Sequence, residues 1–129
     1  MNILIDTGSK EIFKVLKEQG IHIDAILLTH GHADHIKYLQ EILESYKCNV
    51  FIHQNDQILL KDSYLNGSKL VHNNKITAKG CNSVSITDNE TLRFDKLSFQ
   101  VIHTPGHTNG SVIYYCEQLH ALFTGDMIL

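Results

Sequence analysis

The spacing of apolar residues changes character part-way along the chain. Residues 2–6 (NILID) and 23–29 (IDAILLT) are short runs rich in isoleucine and leucine with little alternation. Such runs predict strands buried on both faces. Between them, Ile12, Phe13, Val15 and Leu16 follow a helical period, with a start signal at Ser9 and a stop at Gly20. Residues 10–19 therefore predict an amphipathic helix. A strand, a helix and a strand at this spacing fit a parallel βαβ unit. Residues 34–47 (DHIKYLQEILESYK) place Ile36, Leu39, Ile42 and Leu43 on one helical stripe, and 49–53 (NVFIH) predicts a third short strand.

Residues 54–80 are polar, with one helix-like piece near 55–61 and loop signals at Asn66-Gly67 and Asn73-Asn74. A substrate-facing excursion and a floppy surface loop both fit, and the loop is the preferred expectation. From residue 83 the pattern turns to short strands parted by turn residues: SVSIT, ETLRF, LSFQVIHT, GSVIYYC and HALFTGD. The expected fold class is α+β, βαβα first and then a run of mostly antiparallel strands. Neither a repeat nor a Pro/Gly-rich linker divides the chain, so residues 1–129 are expected to form a single domain.

Composition narrows the function. With 129 residues, 43% hydrophobic and a net charge of −3, the chain has the make-up of one small globular domain. No basic stripe supports nucleic-acid binding. No apolar run approaches the ~20 residues that span a bilayer. The start, MNILIDTG, has neither a basic n-region nor a small-residue cleavage site, so the expected location is cytoplasmic. Cys48, Cys81 and Cys116 are widely spaced and odd in number, which argues against a disulfide framework and a thiolate zinc site. Histidine stands out: nine, against eleven Lys plus Arg. It is a common metal ligand and general base.

The histidines are not scattered. THGHADH places His30, His32, Asp34 and His35 within six residues, directly after the second predicted strand. Ligand sites in α/β sheets gather at that end of the strands. In an extended loop, His30 and His32 can face one ion, while Asp34 and His35 open the next helix and can face a neighbouring position. Imidazole and carboxylate together suit a borderline divalent metal. Two weaker signals sit at later strand ends: the rigid Pro105-Gly106 turn followed by His107, and Gly125 followed by Asp126.

These stretches, DTG, THGHADH, HTPGHTNGSV and FTGD in that order, resemble the metallo-β-lactamase superfamily, most closely its glyoxalase II (hydroxyacylglutathione hydrolase)-like branch. The likeness covers essentially the whole sequence, and its H-x-H-x-D-H motif is specific for the superfamily but much less so for the substrate. It implies an αββα sandwich and two adjacent divalent metals, zinc first, with iron or manganese as alternatives. His30, His32 and His107 would hold the first metal, Asp34 and His35 the second, and Asp126 would bridge them. Asp6 would brace the ligand loop from behind. A metal-held water or hydroxide, positioned with the help of Asp34 and Asp126, would be the nucleophile. No superfamily ligand role matches His103. His22, His53, His72 and His120 are expected to be ordinary surface or packing residues.

The sequence departs from the family pattern at both ends. Members usually have strands before DTG and more chain after GD, including a last histidine for the second metal. This chain stops three residues after Asp126. The resemblance thus implies an incomplete sandwich, a second metal position that is weak or empty, and an open sheet face suited to a homodimer or domain swap. Two functions follow from it. One is hydrolysis of a small thioester or ester. The other is a metal-binding module without catalytic competence.

Overall fold

A computed structural model of the chain describes residues 1–71, 75–78 and 80–126. Strands β1 (Ile3–Ile5), β2 (Ala25–Leu27), β3 (Asn49–His53) and β4 (Ser83–Ile86) lie in chain order in one parallel sheet. Strands β5 (Thr91–Phe94), β6 (Leu97–His103), β7 (Val112–Cys116) and β8 (Ala121–Phe123) form a second, antiparallel sheet. The sequence pattern groups β4 with the later strands, whereas the register Val50↔Ser83 places it in the parallel sheet. A parallel partner needs a long crossover, and the chain between His53 and Ser83 supplies one.

The first sheet separates two cores. On one side, Ile26, Leu28, Val50 and Ile52 pack with Leu16 of α1 (Lys10–Gln19) and with Ile36, Leu39 and Ile42. On the other, Leu27 and Ile86 meet Phe99, Val101, Val112 and Tyr114 of the second sheet. The described residues therefore build three layers: helices, parallel sheet, antiparallel sheet. Tyr114 is fully buried, and its hydroxyl donates to the Leu28 carbonyl at 2.6 Å, pinning one sheet to the other. The outer face of the second sheet carries the half-buried Ile102, Ile113 and Tyr115 and the exposed Leu122. Among the described residues no helix is long and apolar enough to cross a membrane.

The helix α1 matches its expected span, capped by the Ser9 hydroxyl accepting from the Ile12 N–H at 3.2 Å and closed by Gly20 at φ 61°. The helix expected over 34–47 is broken into α2 (Ala33–Ile36) and α3 (Leu39–Ser45). The turn after β1 intercepts its hydrogen-bond ladder. The Thr7 N–H donates to the His35 carbonyl at 2.8 Å, and the Tyr38 N–H donates to the Thr7 carbonyl at 3.2 Å. A Cβ on Gly8 would lie 1.7 Å from the Asp34 carbonyl oxygen, so only glycine permits this approach.

The polar stretch after β3 corrects the floppy-loop expectation over its described part. It forms a 3-10 helix (Gln54–Leu60) and α4 (Ser68–Val71), and Asp56, Leu60, Asn66 and Ser68 are all buried. Its polar side chains are used internally. The Asn66 amide donates to the carbonyls of Leu59 at 2.8 Å and Ile76 at 2.7 Å, which replaces an apolar core with a hydrogen-bonded one. The Asn73-Asn74 turn signal lies outside the described residues.

Candidate metal centre

A backbone hydrogen bond joins the two halves of the fold at Thr29, just past β2. The Thr29 carbonyl accepts from the Val112 N–H at 2.9 Å, which brings the start of β7 and the preceding loop against the histidine loop. His107 arrives from that β6–β7 loop, and Asp126 follows β8. A Cβ on Gly125, at φ 56°, would come within 2.6 Å of the Thr29 hydroxyl, so the last loop also closes onto this point.

Two groups of donor atoms result. One donor atom each from His30, His32 and His107 lie within 4.8 Å of one another, and so do those of His30, His35 and Asp126. His32 Nδ1 is 3.0 Å from His107 Nε2. Asp126 reaches both groups, with Oδ2 3.0 Å from His107 Nε2 and Oδ1 3.2 Å from His35 Nε2. Asp34 stands apart: it is largely exposed and its Oδ2 is 3.7 Å from His35 Nε2. It lies at the rim of the second group rather than within either.

Asp6 organises the groups from behind. It sits at the left-handed φ of 57°, a conformation that short polar residues tolerate. Its Oδ1 accepts from the Thr29 N–H at 2.8 Å, and its Oδ2 accepts from the Thr29 hydroxyl at 2.7 Å and pairs with His35 Nδ1 at 2.8 Å. Because Thr29 gives its only hydroxyl proton to Asp6, it can only accept from His30 Nδ1, 3.0 Å away. His30 then carries its proton on Nδ1, and its Nε2 presents a bare lone pair. That atom is buried and has no hydrogen-bond partner among the described residues. An orphaned acceptor of this kind is costly unless something electron-poor binds it.

The electrostatics differ between ligands. Burial, with repulsion from His35, lowers the His30 pKa to about 4. Burial and His107 lower that of His32. Burial also pulls on His35, but the hydrogen bond and charge of Asp6, with the charges of Asp34 and Asp126, outweigh it and hold His35 at about 9. Burial raises Asp126, yet His35, His30 and His107 more than compensate and bring it below the usual carboxylate range. The donor set fits a metal: imidazole nitrogens, one ionised carboxylate, and His30 and His35 rings oriented by partners on their far side.

The other histidines lie elsewhere. His103 stacks on the buried His53 at 4.0 Å between centroids and keeps its Nε2 on the Asn109 carbonyl at 2.9 Å. His22 is exposed beside Asp24, His120 is exposed in the turn before β8, and His72 lies outside the described residues. Sequence reasoning missed Thr29, whose hydroxyl sets the His30 tautomer, and Asp56, which is buried against both histidine loops. Thr29 has a usable signal, since it directly precedes the first ligand; Asp56 has none, because its partners lie 25, 52 and 54 positions away.

The family model for the metallo-beta-lactamase superfamily matches residues 2–129. The chain belongs to the metallo-β-lactamase superfamily. Among the superfamily's curated proteins it is similar to the probable metallo-hydrolase YqgX of Bacillus subtilis, at 36% identity over 98% of this chain and 60% of that protein. It is also similar to the hydroxyacylglutathione hydrolase of Buchnera aphidicola, at 31% identity over 98% of this chain and 42% of that one. Among solved structures, the BLEG-1 B3 metallo-beta-lactamase superposes with a TM-score of 0.88 at 32% identity, over 98% of this chain and 62% of that one. TTHA1623, solved in a di-iron-bound form, gives 0.78 at 26% identity, over 97% and 61%. The chain thus spans about three fifths of YqgX and of these two structures, and the superfamily fold they share is the αββα sandwich of which three layers are described here.

Proposed function

We propose that the two donor groups hold a pair of divalent metal ions, zinc foremost, and that the site hydrolyses a small acyl substrate, a thioester or ester. The observation that carries this reading is the His30 Nε2 lone pair, buried at the junction of both groups and without a hydrogen-bond partner among the described residues. His30, His32 and His107 would hold the first ion. His35 and Asp126, with Asp34 at the rim, would hold the second. Bound there, the metals supply Lewis acidity, which polarises an acyl carbonyl and makes water nucleophilic near neutral pH.

The chain's own residues do the positioning. Asp6 and Thr29 fix the tautomers of His35 and His30 so that each turns an Nε2 toward the centre. Asp126, ionised and within reach of three histidines, supplies the anionic ligand and an acceptor for a proton of the attacking water. With the His35 proton displaced by the second ion, no further acid stands in these groups, among the described residues, to protonate a leaving amine. A thiolate, with a thiol pKa near ~8.5, leaves without such help. The similarity to a protein named hydroxyacylglutathione hydrolase supports a thioester, whereas BLEG-1, named a B3 metallo-beta-lactamase, supports a lactam.

The test is metal content with turnover of a chromogenic thioester, run beside a chromogenic β-lactam. Two equivalents of metal and chelator-sensitive thioester hydrolysis are expected. Hydrolysis of the lactam alone would replace the substrate class. One equivalent or fewer, with an intact fold and no turnover of either, would make the chain a metal-binding module.

A further inference from the structure

The 3-10 helix Gln54–Leu60 places a carboxylate between the two loops that bring the first group of histidines together. Asp56 is 1% exposed. Its Oδ2 accepts from the Gly31 N–H at 2.9 Å and from the Thr108 hydroxyl at 2.7 Å, and its Oδ1 accepts from the Gly110 N–H at 2.8 Å. Gly31 lies between His30 and His32, and Thr108 directly follows His107. One buried side chain is therefore bonded to the backbone on both sides of the gap across which His32 and His107 face each other at 3.0 Å.

The glycines show how tightly this clamp is built. A Cβ on Gly110 would lie 2.7 Å from Asp56 Oδ1, and one on Gly31 would lie 2.6 Å from the Leu59 side chain. All three partners of Asp56 are donors, so only an acceptor-only group satisfies them. A second thread reinforces it, with the Ala33 N–H donating to the Asn66 carbonyl at 2.9 Å. We propose that Asp56 is a positioning residue for the first metal: it sets the separation of the His30–His32 and His107 loops, so that three imidazoles are pre-arranged before the ion arrives. This inference rests on the metal-centre reading above, and it assigns the polar stretch after β3 a role in the site.

Outer partners of this kind are typically worth about 10–100-fold in metal affinity. Asp56→Asn keeps the shape but turns an amide donor toward donors. It should raise the Kd for the first equivalent of zinc by about 10–100-fold, and it should shift the visible bands of the cobalt-substituted protein, which report ligand geometry at the ion. Thr108→Val removes one of the three bonds and should weaken zinc binding by a smaller factor, while Thr108→Ser restores the hydroxyl and the affinity. The Thr108 pair decides the matter if Asp56→Asn does not fold by circular dichroism. Wild-type zinc affinity and unchanged cobalt bands in Asp56→Asn and Thr108→Val would overturn the positioning role alone. So would a loss in Thr108→Val that Thr108→Ser shares. Failure of the wild-type chain to bind either ion would overturn the metal centre itself, and this proposal with it.

Discussion

The two donor groups share His30 yet differ in charge. The group of His30, His32 and His107 is made of imidazoles, and burial favours the neutral form of His30 and His32. The group of His30, His35 and Asp126 holds an internal ion pair, with His35 kept protonated by Asp6, Asp34 and Asp126, and Asp126 kept ionised by the histidines. Without a metal, the second group already holds a cation, the proton on His35. An ion entering the first group meets in His30 and His32 rings whose burial favours the neutral form, whereas one entering the second must evict the His35 proton. The same cluster of side chains thus offers one position poised to fill and one gated by acidity.

The largest effect expected is from His30→Ala, which removes the buried Nε2 that would hold the first ion. Metal analysis after gel filtration should fall from two equivalents to one, as it should in His107→Ala, whereas His35→Ala should lose the second ion and keep the first. Retention of both equivalents in His30→Ala would dissolve the comparison.

Acidity provides the next test. Above neutral pH the affinity of the first equivalent should be nearly flat. That of the second should climb about tenfold per pH unit until it levels near 9, the pKa of His35. Titration calorimetry in buffers of different ionisation enthalpy should show close to one proton released with the second ion. Equal pH slopes for both ions would contradict the ion-pair account.

A smaller effect is predicted for the metal-free protein. His35 is raised from 6.5 to about 9, so its contribution to stability is complete below 6.5 and is lost as pH rises through 9. His30 is lowered from 6.5 to about 4, so its contribution is complete above 6.5 and is lost as pH falls toward 4. Urea denaturation should therefore give greatest stability near pH 6.5, and a saturating metal should flatten the profile. The smallest change expected is none: His103→Ala should bind both equivalents like wild type, since its ring stacks on His53 outside both groups.

Legibility of the chain followed the range of the forces involved. Helix α1 and strand β3 appear over the spans their patterns predict, because their caps and periodicity are local. The helix over 34–47 was broken by Thr7 and Gly8, about thirty positions away, and no pattern within that segment reports them. The stretch after β3 read as a loop because its buried polar residues satisfy one another, a property visible only once Asn66 and Ser68 have partners. The candidate ligands were readable as residue types in motifs. Which of them share a position was not, and Asp34, expected among the second group, stands at its rim.

Residue order alone established the chemistry on offer: histidines and carboxylates placed at the ends of strands, where backbone geometry obliges a turn. Tertiary structure decided how they are used. The Thr29–Val112 bond, the Tyr114 hydroxyl, the Asp6 bracket and the Asp56 clamp bring together loops nearly a hundred residues apart. Donor identity is a property of each side chain. Distance, tautomer and charge state arise only from neighbours in space, and therefore only from the folded chain.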